Sequence, residues 1–265
     1  MEELTHENYY STEANMEYMS VSQYKDFAEC EFYGLMKAKG EFVEPKGKPL
    51  LMGSYADAYF SKRMEQFIAD NPDIFKKDGT LKSDYEKVNE CIRKATSDDF
   101  FMEHIKGETQ VIITGVINGI KWKGCYDFLN KRIVDLKLVA SIRELVWKYD
   151  PLTKRNYQTN FIDAYGYDIQ GCVYQELGRQ RLGTKLPFDI AAISKEDEPD
   201  LAIINIDDDI LASKLEEVST KAVRYDMIKK GLIEPTHCNN CPCCRKYNKL
   251  SRVITYKEMF DKESE

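Results

Sequence analysis

The sequence predicts an α/β fold in which helices flank one mixed central β-sheet. Three observations carry that expectation. The N-terminal third shows apolar residues at helical spacing. Three β-rich segments follow, with a hairpin signal between the first two. Helices and strands then alternate up to a long C-terminal helix.

Residues 1–15 are polar and acidic and are expected to be disordered, leaving 16–265 as a single domain. Residues 20–38 read as a helix capped by Ser20 or Ser22, with Tyr24, Phe27 and Ala28 at helical spacing. Gly40, Pro45, Gly47 and Pro49 predict a loop over 39–50. Helices are expected at about 51–69 and 83–95. Thr109 to Val116 is rich in β-branched residues, Asn118-Gly119 is a tight-turn signal, and Ile120 to Leu129 reads as the returning strand. Ile133 to Val139 completes a three-stranded meander. Helices are then expected at about 141–148 and 161–181, strands at 190–194 and 201–206, and a helix over about 208–230.

The formal charge of -7 opposes binding to nucleic acid by phosphate contacts alone. A site that gathers carboxylates around divalent cations inverts that local field, and basic stretches occur at 37–48, 179–185 and 245–252. No apolar run approaches the ~20 residues that span a bilayer, and the N-terminus does not read as a secretory signal. No membrane partner and a cytoplasmic location are therefore expected.

The informative stretch runs from Gly124 to Lys137. Ile133, Asp135 and Lys137 share one face of the third strand, and Val134, Leu136 and Leu138 share the other. Asp135 and Lys137 thus interrupt a strand that otherwise reads as buried. A buried charge costs several kcal/mol unless it is paired or binds a metal. Asp127 ends the preceding strand. A two-residue turn at Asn130-Lys131 would put it on the face away from Asp135, whereas a loop of Asn130 to Arg132 would set the two directly across from each other. On one face, two carboxylates can hold Mg²⁺ or Mn²⁺, which prefer oxygen ligands. The backbone carbonyl of Leu136 is a further candidate ligand, and Lys137 can orient water or neutralise charge developing on a phosphodiester.

A second cluster lies in the tail, 237–245. Cys238, Cys241 and Cys244 form CxxCxxC, a spacing that brings thiolates to one ion. Three ligands leave a vacancy. Cys91, Cys125 and Cys172 read as small core residues, and neither His6 nor His104 shows a partner.

The order GxxD, DxK, QxxxY resembles the PD-(D/E)xK nuclease superfamily and its RecB-like exonuclease branch, with Gly124/Asp127, Asp135/Lys137 and Gln170/Tyr174 at the matching positions. Gln170 and Tyr174 are four apart and face one side of a helix. The resemblance implies that they contact DNA or support the catalytic lysine. The family's upstream GxxxH is matched by Gly53 to Asp57, with Asp in place of His as a candidate oxygen ligand; Glu108 is a weaker candidate for that role. From Ser20 to Arg245 the chain is most similar to the nuclease domain of phage RecE-like exodeoxyribonucleases. That similarity implies a restriction-endonuclease-like core and Mg²⁺- or Mn²⁺-dependent hydrolysis at double-stranded DNA ends. It further implies a role in phage or prophage recombination, a single-strand annealing recombinase as partner, and a homo-oligomer. Other readings remain open: a nuclease of similar fold with another task, such as CRISPR adaptation or restriction, and a non-catalytic DNA-binding module with a structural metal. The segment around Cys30 resembles that of iron–sulfur nucleases related to AddB and the CRISPR adaptation nucleases, which makes Cys30, Cys238, Cys241 and Cys244 a candidate [4Fe–4S] set. A Zn²⁺ site completed by Cys30, Cys243 or His237 is the alternative.

Overall fold

The computed structural model describes residues 4–258, apart from 46, 151–152 and 251. Among the described residues, the central sheet has the order β1-β2-β3-β6-β7, from β1 (Glu108–Ile117), β2 (Ile120–Leu129), β3 (Ile133–Val139), β6 (Phe188–Ser194) and β7 (Leu201–Asn205). The expected meander is antiparallel, β3 and β6 are parallel, and β7 returns antiparallel to β6. Asn118 and Gly119 both take positive φ, 49° and 76°, the backbone a two-residue hairpin requires. Every residue of β6 is buried, because strands flank it and helices cover both faces.

The helices form two layers. On one face α2 (Val21–Glu29), α9 (Tyr167–Leu182) and α10 (Asp208–Lys229) pack Phe27, Leu177 and Val218 against Ile133, Tyr126 and Ile190. On the other, α4 (Lys48–Phe60), α6 (Ser83–Thr96) and α7 (Asp99–His104) pack Ala56, Val88 and Phe101 against Val134, Leu136 and Ala191. The two faces of β3 therefore feed two cores, and Asp135 lies on the face that α9 covers.

Several elements differ from expectation. The helix expected over 20–38 is α2 followed by α3 (Glu31–Ala38), broken at Cys30, which is extended (φ -162°, ψ 122°). The helix expected at 51–69 is α4 followed by α5 (Met64–Asp70), separated by Lys62 at φ 60°. The helix at 161–181 is α8 (Phe161–Tyr165) and α9, parted by Gly166 at φ 61°. In place of a helix over 141–148 stands a separate hairpin of β4 (Val146–Asp150) and β5 (Arg155–Thr159). Its alternating aromatic and β-branched residues favour strand, and the Asp150-Pro151 pair stops a helix from passing through.

The N-terminus also departs from expected disorder. Met1 to Glu3 lie outside the described residues, but α1 (Thr12–Glu17) follows a Ser11 cap, and Tyr9 is buried. The cause is Lys123 on β2, a buried cation with no carboxylate partner among the described residues. Its ammonium donates to the Tyr9 carbonyl and to Asn15 Oδ1 (2.9 Å), and burial pushes its pKa down to about 8. A buried ammonium must find acceptors, and here the N-terminal segment supplies them. Met19 then bridges β2 at Trp122, exchanging backbone hydrogen bonds with Lys121 and Lys123.

Candidate active site and cysteine cluster

The site lies where β2 and β3 part. Leu129 pairs with Ile133 and Phe128 with Val134, so the connection is the longer loop, Asn130 to Arg132. In that register Asp127 falls directly across from Asp135, and the ladder stops there. At the other end of β2, Met19 occupies the edge instead. The Leu136 N–H, which a continued ladder would give to a backbone carbonyl, donates to Asp127 Oδ2 (2.8 Å). Within a strand, the N–H and C=O of one residue point to the same edge. The Leu136 carbonyl therefore faces the same opening as the Asp127 carboxylate.

Asp135 is buried. Its Oδ1 accepts from Gln170 Nε2 (2.7 Å), so the first residue of QxxxY orients the carboxylate rather than the lysine. Its Oδ2 pairs with the Lys137 ammonium. Burial, and then the charge on Asp135, push the Asp127 carboxyl well above its ordinary range. Burial alone would lower Lys137, but Asp135 and Asp127 outweigh it and hold the ammonium up at about 12. The donor set is all oxygen. The two carboxylates repel, which is what raises Asp127 beyond the effect of burial. A divalent cation fits that arrangement.

Asp57 faces the same opening. Burial raises its carboxyl, and both Lys137 and Asp135 act on it. Its Oδ2 is held by Arg63 (2.8 Å) and its Oδ1 by Gln110 Nε2 (2.9 Å). Gln110 carries no sequence signal at all. It sits in β1 between Thr109 and Val111, which pair with Phe128 and Tyr126, and so stands opposite Asp127. Its φ is 56°, a conformation that costs a non-glycine residue about 1–2 kcal/mol. Glu108 is exposed at the start of β1. Lys25, also unmarked in the sequence reading, donates to the Tyr165 carbonyl (2.8 Å), and the Lys137 ammonium lies 5.0 Å from the Tyr167 ring centre.

Tyr174, the last residue of QxxxY, is a packing element beneath the site. Its ring lies 5.1 Å from that of Tyr126, whose hydroxyl donates to the Tyr174 carbonyl (2.7 Å). A Cβ on Gly124 would meet Tyr174 Cε1 at 2.7 Å. The glycine of GxxD is thus the space into which the tyrosine of QxxxY fits. Gly124→Ala is expected to cost about 1–3 kcal/mol by overpacking, read as a lower urea midpoint with unchanged slope. An unchanged midpoint would mean that Tyr174 moves aside freely.

His104 has a partner the sequence does not reveal. Its Nε2 lies 2.7 Å from Asp189 Oδ2. Asp189 is fully buried and is also bonded to Arg132 (2.9 Å) and Asn205 (2.7 Å). This carboxylate is satisfied and belongs to the frame of the loop after Asp127.

The cysteine group is separate. Cys30, Cys238, Cys241 and Cys244 place their sulfurs within 4.8 Å of one another. The kink at Cys30 turns it towards α11 (Pro242–Tyr247), with Sγ 3.6 Å from that of Cys244; the Cys238 and Cys244 sulfurs are 3.9 Å apart. Backbone N–H groups of Cys241 and Cys244 donate to the sulfurs of Cys238 and Cys241. Burial opposes ionisation of Cys238, but such backbone donors outweigh it and bring the thiol to about 7. Cys243 is buried outside the group, and the His237 ring stacks on Phe32 at 4.1 Å, with Nδ1 4.0 Å from the Cys244 sulfur.

A mixed sheet with an Asp–Asp–Lys set at its parted edge is the mark of a PD-(D/E)xK nuclease, and residues 20–247 match the family described as PDDEXK-like domain of unknown function (DUF3799). The chain belongs to that family. Among solved structures it is similar to a crystal structure of a candidate exonuclease from Eubacterium rectale. The two are 43% identical, with a TM-score of 0.92, and the match covers 99% of this chain and 100% of that one. No curated protein matches the sequence. No described helix is long and apolar enough to cross a membrane.

Proposed function

We propose that this chain is an Mg²⁺- or Mn²⁺-dependent exonuclease that hydrolyses phosphodiesters at the ends of double-stranded DNA. The observation that carries the reading is the facing of Asp127 and Asp135 across the opening between β2 and β3, with Lys137 on Asp135. The description of the Eubacterium rectale relative supports the same reading. Asp127, Asp135 and the Leu136 carbonyl would hold the cation, with Asp57 as a further ligand once released from Arg63. A bound divalent cation polarises the phosphodiester and lowers the pKa of water. Lys137 stays charged through its ion pair, so it serves by orienting water and neutralising phosphorane charge rather than by taking a proton. Gln170 fixes the Asp135 carboxylate. A place in phage or prophage recombination, a single-strand annealing recombinase as partner, and a homo-oligomeric assembly complete the proposal.

The test is digestion of linear against circular duplex DNA with Mg²⁺ and with EDTA. Metal-dependent loss of the linear form alone is expected. Cutting of both forms would make the chain an endonuclease, and a folded protein that cuts neither would be a binding module. Lys137→Gln separates roles within the site. It should cut at least about a hundredfold more slowly yet bind cation more tightly, because the competing ammonium is gone. Mn²⁺ should therefore raise its melting temperature more than that of the unmodified chain. Activity at the unmodified rate would remove Lys137 from the mechanism.

For the cysteine group, sulfurs 3.6 and 3.9 Å apart support one tetrahedral ion. Bonds of about 2.3 Å place ligands about 3.8 Å from each other. A [4Fe–4S] cube holds its cysteines outside four irons and spreads them farther. Zinc in metal analysis is the expected result; visible absorption with iron and sulfide would establish the cluster instead.

A further inference from the structure

The β4–β5 hairpin carries rings that the fold does not use. Trp147 is 66% exposed and Tyr149 54%. Two apart on one strand, they share a face, with Gln158 and Asn156 directly across from them. That face bears no carboxylate, in a chain of net charge -7. The other face carries Lys148 and Arg155, with Asp150 directly across from Arg155. A two-stranded ribbon is marginal in water by itself, and an exposed aromatic patch on one marks a binding surface.

The ribbon packs on α8 through β4, and Val146 rests against the main core. After β5 the chain enters α8, which ends at the exposed Tyr165. The Tyr165 and Tyr167 rings are 5.9 Å apart, and Lys137 and Lys25 lie 5.0 and 5.5 Å from the Tyr167 ring centre. Rings and cations therefore run from Lys137 through Tyr167 to Tyr165, at the end of the helix on which β4 packs. Stacking rings interleaved with cations suit unpaired bases on a phosphate backbone. A duplex offers its edges and phosphates but hides the π-faces of its bases.

We propose that Trp147 and Tyr149, continued by Tyr165 and Tyr167, form a path for single-stranded DNA that joins the cleavage centre to the hairpin. The proposal rests on the nuclease reading, and its test is independent of cutting. The sequence has two tryptophans, Trp122, which is fully buried, and Trp147. Titration of the full chain in EDTA with an oligo(dT) of about a dozen nucleotides should quench tryptophan emission, and salt should restore it. A blunt duplex should not quench. Tyr149→Ala should weaken the titration about tenfold or more, with the emission of the free protein unchanged. Trp147→Phe should keep binding of a labelled oligo(dT), read by anisotropy, and lose the quench. Binding without quenching, no binding at low salt, or equal quenching by duplex would overturn the path. So would quenching on concentration of the protein alone, which would give the face to a second copy. Each of these would leave the linear-against-circular assay untouched. Loss of that assay with quenching intact would instead leave a single-strand binder without cleavage.

Discussion

Asp135→Asn is expected to reduce cleavage of linear duplex by about a thousandfold or more while leaving the protein folded. Asparagine keeps the shape and can still accept from Gln170 through its amide oxygen, so the bond to Asp135 Oδ1 (2.7 Å) has a successor. What disappears is one of two facing negative charges. Asp127 is the other, and the repulsion that raises its carboxyl goes with it. Lys137 loses its ion-pair partner but still feels Asp127. The two changes oppose each other, so the melting temperature without metal should move little. The discriminating readout is the metal increment. Mn²⁺ should stabilise the unmodified chain and have little effect on Asp135→Asn, because binding to the native state alone shifts apparent stability. A variant that cuts at the original rate, or keeps the full increment, would place the cation elsewhere.

How much of this was legible beforehand differs from residue to residue, for physical reasons. Spacing alone marks Asp127, Asp135 and Lys137, because a charged pair inside an apolar strand requires an explanation. The loop length was open between two registers. It is set by Asn130, whose side chain bonds the carbonyls of His104 (3.2 Å) and Lys106 (2.7 Å) and accepts from the Arg132 N–H (2.9 Å). Those partners come from the end of α7, outside the strands that the sequence pattern describes. Gln110 was invisible because its role comes from a backbone conformation, not from its residue type. Lys123 is unmarked in the sequence pattern because its acceptors come from the N-terminal segment, yet it is buried and orders that segment. The break at Cys30 was hidden because helical spacing continues on both sides of it. The β4–β5 hairpin was misread for a related reason. A short apolar run does not distinguish helix from strand until the turn between the two halves is recognised.

Cys241→Ser is expected to lower the melting temperature by about 10 °C and to leave cleavage near the original rate at temperatures where the variant is folded. Besides the sulfurs, the tail is held by His237 stacking on Phe32 and by hydrogen bonds from Thr236 to Glu31 and from Tyr247 to the Glu41 carbonyl. Around the cysteines the buried apolar contribution is small, chiefly Tyr33 and Met36, and α11 is too short to persist alone. The group ties Cys30 to Cys244, closing a loop through most of the chain. A structural thiolate site couples its metal affinity directly to folding. If loss of one ligand removes about 4 kcal/mol of that coupling, a chain of this size loses about 10 °C at a few degrees per kcal/mol. Cys243→Ser is the control. Cys243 is fully buried but lies outside the ligand group. That variant should lose some stability from placing a hydroxyl in an apolar site, yet keep its metal content, whereas Cys241→Ser should lose metal and stability together. Equal metal content in both variants would mean that the four sulfurs hold no ion. A Cys241→Ser protein that is as stable as the original and fully active would leave the tail to be held by packing alone.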